Sequence, residues 1–103
     1  MPGPDAFDET ATAALRRLLE VANTDTGHGR KIADFLLAWW NAKACGGWDP
    51  TDLWGLGRAV ADDVLLLVGF VSRHHVHPDA LGFGDEFEAL VALRRPHLPN
   101  RTK

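Results

Sequence analysis

Three histidines and a carboxylate crowd into six residues, His74-His75-Val76-His77-Pro78-Asp79. Imidazole and carboxylate are ligand types of zinc and nickel sites, which makes His75, His77 and Asp79 the candidate metal ligands. On a helix, however, consecutive side chains point about 100° apart, so neighbouring histidines do not easily share one ion. Polar and cationic side chains are also favoured at helix C-termini, where the backbone dipole is negative. This structural reading is preferred. A metal-binding protein or metal-dependent enzyme stands as the alternative, and no metal or cofactor is expected.

The other chemical candidates are weaker. Cys45 is the single cysteine, no family signature surrounds it, and lone cysteines are most often small buried hydrophobes. Gly27-His28-Gly29-Arg30-Lys31 has the outline of a phosphate cradle at a helix start, with backbone N–H groups and two cations. It lacks the Walker spacing and no strand precedes it. Asp62 and Asp63 fall in the early turns of a helix, where carboxylates complement the dipole without any catalytic role. Nothing assembles into a nucleophile, base and oxyanion arrangement, so a non-enzyme is expected.

The aromatic residues carry more. Four tryptophans accompany no tyrosine, and Trp39, Trp40, Trp48 and Trp54 fall within 16 residues. Tryptophan is enriched at binding hot spots, so Leu37, Trp40, Trp48 and Trp54 are the candidate partner-binding residues. The competing reading packs all four rings in the core around Gly46-Gly47. Adjacent Trp39 and Trp40 are not expected to point at the centre of one contact.

These residues sit on helices. Ala11, Leu15, Leu18, Leu19 and Ala22 keep one helical face over about Asp8 to Ala22, with Asp8 as N-cap. The run 23–29 reads as a loop, and a second helix follows from Arg30 to Ala44. Its apolar residues Ile32, Ala33, Phe35, Leu36, Trp39 and Trp40 spread over about half the circumference and Leu37 and Ala44 widen the arc, which suits a central helix or one with a partner surface on one flank. Gly46-Gly47 closes it with glycine in the left-handed region. Asp49-Pro50 starts a short helix that ends near Trp54.

The longest candidate runs from Arg58 to His75, with an apolar stripe of Val60, Val64, Leu67, Val68 and Val71. Leu65, Leu66 and Phe70 make it apolar nearly all round, as in a buried helix or one shared with a partner. The last helix starts at Asp85, with Glu88 at the capping-box spacing, shows Phe87, Leu90, Val91 and Arg94 on one face, and stops at Pro96. The fold expected is all-α, a single-domain bundle of about five helices over 1–103, centred on the second and fourth. A short flexible N-terminus (about 1–6) and a basic C-terminal tail (about 96–103) flank it.

One hundred and three residues, 46% hydrophobic and 24% charged, match an ordinary soluble globular domain. The net charge of −3 excludes a uniformly basic nucleic-acid binder. It conceals an asymmetry. From Arg94 onward Arg94, Arg95, Arg101 and Lys103 stand without an acidic residue, at +4, while seven basic and 14 acidic residues leave the body at −7. Those four cations are the candidate contacts for nucleic acid or an acidic partner, although such a tail more often complements a helix C-terminus and then frays. No basic and apolar leader opens the chain, and its longest apolar run of eight residues is too short for a span of about 20. A cytoplasmic protein without membrane contact is expected.

The stretch Ile32-Ala33-Asp34-Phe35-Leu36-Leu37-Ala38-Trp39-Trp40-Asn41-Ala42, followed by Cys45-Gly46-Gly47-Trp48-Asp49-Pro50-Thr51-Asp52-Leu53-Trp54, resembles a family of small uncharacterised bacterial proteins. Ala61-Asp62-Asp63, His77-Pro78-Asp79-Ala80-Leu81-Gly82-Phe83 and Arg95-Pro96 continue the likeness, which covers most of Asp25 to Pro96. The family is a domain of unknown function associated with plasmids and integrative elements of proteobacteria, and it supplies no catalytic residues to carry over. The resemblance implies an accessory product of mobile DNA, a setting in which small proteins bind and block host machines, including CRISPR complexes. The expected function is therefore a non-enzymatic module that binds another protein, with a homodimer as a variant. Nucleic-acid binding through the tail is the further alternative.

Overall fold

The computed structural model describes residues 9–98, and among them every regular element is helical. Four α-helices, α1 (Glu9–Ala22), α2 (Gly27–Cys45), α3 (Arg58–Arg73) and α4 (Gly84–Arg94), alternate in the second half with two 3-10 turns, Pro50–Gly55 and Pro78–Leu81. The all-α expectation holds. Asp8, the N-terminal segment 1–6, Arg101 and Lys103 lie outside the described residues. No helix among the described residues is long and apolar enough to cross a membrane.

The α1 stripe packs as its period requires, with Ala11, Ala14, Leu15, Leu18, Leu19 and Ala22 all buried. It makes α1 the hub. α1 packs along both α2 and α3, α2 packs on α4, and α4 packs on the turn Pro78–Leu81. The expected centre of second and long fourth helices is therefore half right: α2 is central, α3 is flanking. The reason is side-chain size. Alanines at three of the six buried α1 positions let two neighbours approach, whereas α3 buries only Ala61, Val64, Leu67 and Phe70.

The start of α2 comes three residues earlier than its apolar pattern suggests. Thr26 is the N-cap, its hydroxyl accepting from the Gly29 N–H at 2.9 Å. Gly27 and Gly29 are thus first-turn residues. Near its other end α2 is interrupted at Asn41 (φ −167°, ψ 86°), whose side-chain oxygen accepts from the Ala44 N–H at 3.2 Å and restarts the last turn. Gly46 then closes the helix with φ +98°, where glycine was expected, though its ψ of 168° is extended and not left-handed helical.

Asp49 caps the first 3-10 turn as expected, accepting from the Thr51 N–H at 3.0 Å and its hydroxyl at 2.8 Å. Those two bonds, the backbone one first, hold the Asp49 carboxyl below the usual carboxylate range. The cap is therefore expected to weaken only as pH falls through that lowered value. The turn Pro78–Leu81 ends on Gly82 in the left-handed region at φ +90°. α4 does not use the Asp85–Glu88 box. Its N-cap position is Phe83, without a side-chain cap bond, and Asp85 and Glu86 sit in the first turn. Phe83 is buried, so packing of its ring sets where α4 begins.

Candidate functional site

The tryptophans divide between core and surface. Trp40 (2% exposed) and Leu37 (0%) belong to the core, which removes both from the candidate partner surface. Trp40 stacks on Phe87 with centroids 5.4 Å apart, and Trp39 meets the same ring edge-on at 6.1 Å. Adjacent tryptophans thus do share one contact, because Phe87 offers a face to one and an edge to the other. The Trp39 indole N–H donates to the Val76 carbonyl at 3.0 Å, tying α2 to the segment after α3. Trp48 is half-buried, edge-on to Phe35 at 4.9 Å.

Trp54 stands 86% exposed on the first 3-10 turn. Its support is well anchored. Leu53 and Leu56 on either side pack against the core, and the Gly55 carbonyl accepts from His28 Nε2 at 2.8 Å. A ring on such a base is presented, with little backbone freedom left to lose on binding.

A second apolar feature runs beside α3. An open groove of about 220 Å³ lies between α2 and α3, lined by Phe35, Ala38, Trp39, Trp48, Val68 and Val71. Beyond it the outer side of α3 exposes Leu65 (49%) and Val68 (39%). The sequence reading that α3 is apolar beyond one stripe is thus realised as uncovered surface.

Two of the four candidate cations of the basic tail are engaged within the fold. Arg94 donates from Nε and Nη2 to the Ala22 carbonyl at 3.1 and 2.8 Å, and from Nη2 to the Thr24 carbonyl. Arg95 donates from Nε to the Cys45 carbonyl at 2.8 Å and from Nη2 to Asp34 at 2.6 Å. Each satisfies carbonyls that a helix end leaves open, which makes these two half-buried latches. Arg95→Lys is expected to cost about 1–3 kcal/mol despite keeping the charge, since one ammonium does not reproduce the planar fork spanning both acceptors. Chemical denaturation checks this, and a lysine variant as stable as wild type would show that charge alone suffices.

The histidine cluster is dispersed. His74 stacks on Phe70 at 4.4 Å, His75 is exposed, and His77 donates Nδ1–H to the Trp39 carbonyl at 3.0 Å. Asp79 sits on the following 3-10 turn. Among the described residues no three His, Cys, Asp or Glu side chains are gathered around a point that an ion could occupy. His77 and Asp79 do border an open cleft of about 560 Å³ beside the α2 interruption, together with Trp39, Asn41 and Lys43.

Cys45 is buried. The acidic pair is split between neighbours: Asp62 accepts from Arg58 Nε at 3.0 Å, and Asp63 takes Arg17 in a two-pronged contact at 2.8 and 2.9 Å. The Asp63 hydrogen bonds and charge raise the Arg17 pKa above its ordinary value. The 27–31 segment is the capped first turn of α2, and its His28 is turned to Gly55.

What fold and surface define is a small all-helical domain with a hub helix, a presented tryptophan and one uncovered apolar helix flank. The chain belongs to DUF7673, a family of unknown function, which it matches over residues 12–95. That span runs from α1 to Arg95 and bears out the likeness to a domain of unknown function. No curated protein and no solved structure matches the chain.

Proposed function

We propose that this chain is a non-enzymatic protein-binding module whose anchor residue is Trp54. The observation that carries the reading is the 86% exposure of that ring on a turn pinned at both ends. A large aromatic side chain left in water contributes nothing to the core, while at an interface it supplies apolar area at low entropic cost. The mobile-DNA setting implied by the sequence resemblance extends the proposal: the partner is a host protein complex, a CRISPR complex being one such target.

The test uses the tagged full chain to capture proteins from a bacterial lysate, identified by mass spectrometry, beside Trp54→Ala. The variant is expected to keep wild-type stability within about 0.5 kcal/mol, because the site is surface. It is expected to lose at least about tenfold in affinity for the captured partner, as hot-spot truncations do. Equal capture by wild type and variant would overturn the assignment of Trp54.

A further inference from the structure

We infer that two copies of this chain pair antiparallel through the outer face of α3, an association separate from the Trp54 contact. At about 100° and 1.5 Å per residue, Asp62 and Arg73 lie about 20° apart around α3 and about 16 Å apart along it. They bracket one face. Between them lie the exposed Leu65 and Gly69, which has no side chain to hold a neighbour away. Arg73 lies back along this face, with Nη1 3.3 Å from where a Gly69 Cβ would stand. It forms no ion pair among the described residues, and Asp62 bonds only to exposed Arg58 one turn away.

A face ordered as carboxylate, apolar centre, guanidinium is complementary to itself. A two-fold axis running between the copies at the level of residues 67–68 sets each Asp62 opposite the other copy's Arg73 and each Leu65 beside the other's Gly69. Parallel alignment would set Asp62 against Asp62 and Arg73 against Arg73, so the charges select one direction. The antiparallel arrangement is isologous and closes, as a cyclic dimer must. A partner of another kind would have no need of this symmetry. The second copy accounts for both the charge order and the uncovered leucine.

Sedimentation equilibrium on the full chain, with circular dichroism to verify the fold, decides. Wild type is expected to be a dimer. Arg73→Asp and Asp62→Arg each place like charges together and are expected to weaken it at least about tenfold, while the double variant D62R/R73D restores it. Leu65→Glu is expected to yield a folded monomer, and Trp54→Ala to leave the dimer intact. A wild-type chain that stays monomeric at high concentration, or a double variant as weak as the singles, overturns the pairing. Neither result touches the Trp54 reading, which fails only on its own capture experiment.

Discussion

Replacing Phe87 with alanine is expected to remove about 3–5 kcal/mol of folding stability, the range of large-to-small changes at fully buried aromatic positions. The ring is 0% exposed, stacked beneath Trp40 and met edge-on by Trp39. Its loss opens a cavity between α2 and α4 that rigid neighbours do not fill. Neither indole is able to follow: Trp39 is held by the Val76 carbonyl, and Trp40 is enclosed at 2% exposure. The consequence spreads, because α4 carries the turn Pro78–Leu81 against it.

A domain of this size loses at least about 4 °C in Tm per kcal/mol, so a fall of at least roughly 12 °C is expected in thermal unfolding. Phe87→Leu keeps much of the volume and forfeits both ring contacts, for a smaller cost of about 1–2 kcal/mol. The near-ultraviolet signal of the tryptophans is expected to collapse in the alanine variant before helicity does. Full stability in Phe87→Ala would mean that the paired tryptophans hold α2 to α4 without the ring between them.

How much of this was legible in the residues depends on whether the cause was local. The α1 stripe was fully legible, since period and burial coincide over Ala11 to Ala22. The Asp49-Pro50 start was legible for the same reason: cap and ring geometry act within two residues. The start of α4 was not. Asp85 and Glu88 have the right spacing, but burial of Phe83 outweighs a solvent-exposed cap. A role for these cations at a helix end was legible, but which carbonyls Arg94 and Arg95 latch was not, because their acceptors lie 50 to 72 residues away.

The candidate partner surface divides in the same way. The residues left open whether all four rings pack in the core or one of Trp40, Trp48 and Trp54 stays partly exposed. Which one did not follow, since the half-circumference of apolar residues on α2 admits either orientation for Leu37 and Trp40. Trp54 escapes burial because the 3-10 turn directs its neighbours Leu53 and Leu56 inward and leaves it outside. The uncovered flank of α3 arises similarly. Its breadth was visible in Leu65 and Leu66, but only the position of α1 decides which stripe is covered.

Gly29→Ala is the case in which a propensity argument and the structure give opposite signs. A glycine inside a helix costs about 1 kcal/mol relative to alanine, so the substitution would stabilise an isolated α2. In the folded chain the added Cβ would stand 2.5 Å from the Thr24 carbonyl oxygen and 2.7 Å from both the Thr24 hydroxyl and the Val21 carbonyl oxygen. Two of those three atoms are backbone and have no rotamer to escape into. They are also in use: the Val21 carbonyl accepts from the Thr24 N–H at 3.0 Å, and the Thr24 carbonyl accepts from Arg94. Moving them apart therefore loosens the α1–α2 corner and the latch that seats the end of α4.

Overpacking of this kind costs about 1–3 kcal/mol before the lost hydrogen bonds are added, which outweighs the propensity gain. A net loss of about 2–3 kcal/mol is expected in urea unfolding. Gly27→Ala, two residues earlier in the same first turn, meets nothing within 4 Å and is expected to be neutral or to stabilise by up to about 1 kcal/mol. Opposite signs at two glycines of one helical turn would isolate the close approach as the cause. Stabilisation at both would mean that the corner between Val21 and Gly29 yields, and that glycine at 29 serves flexibility instead of contact.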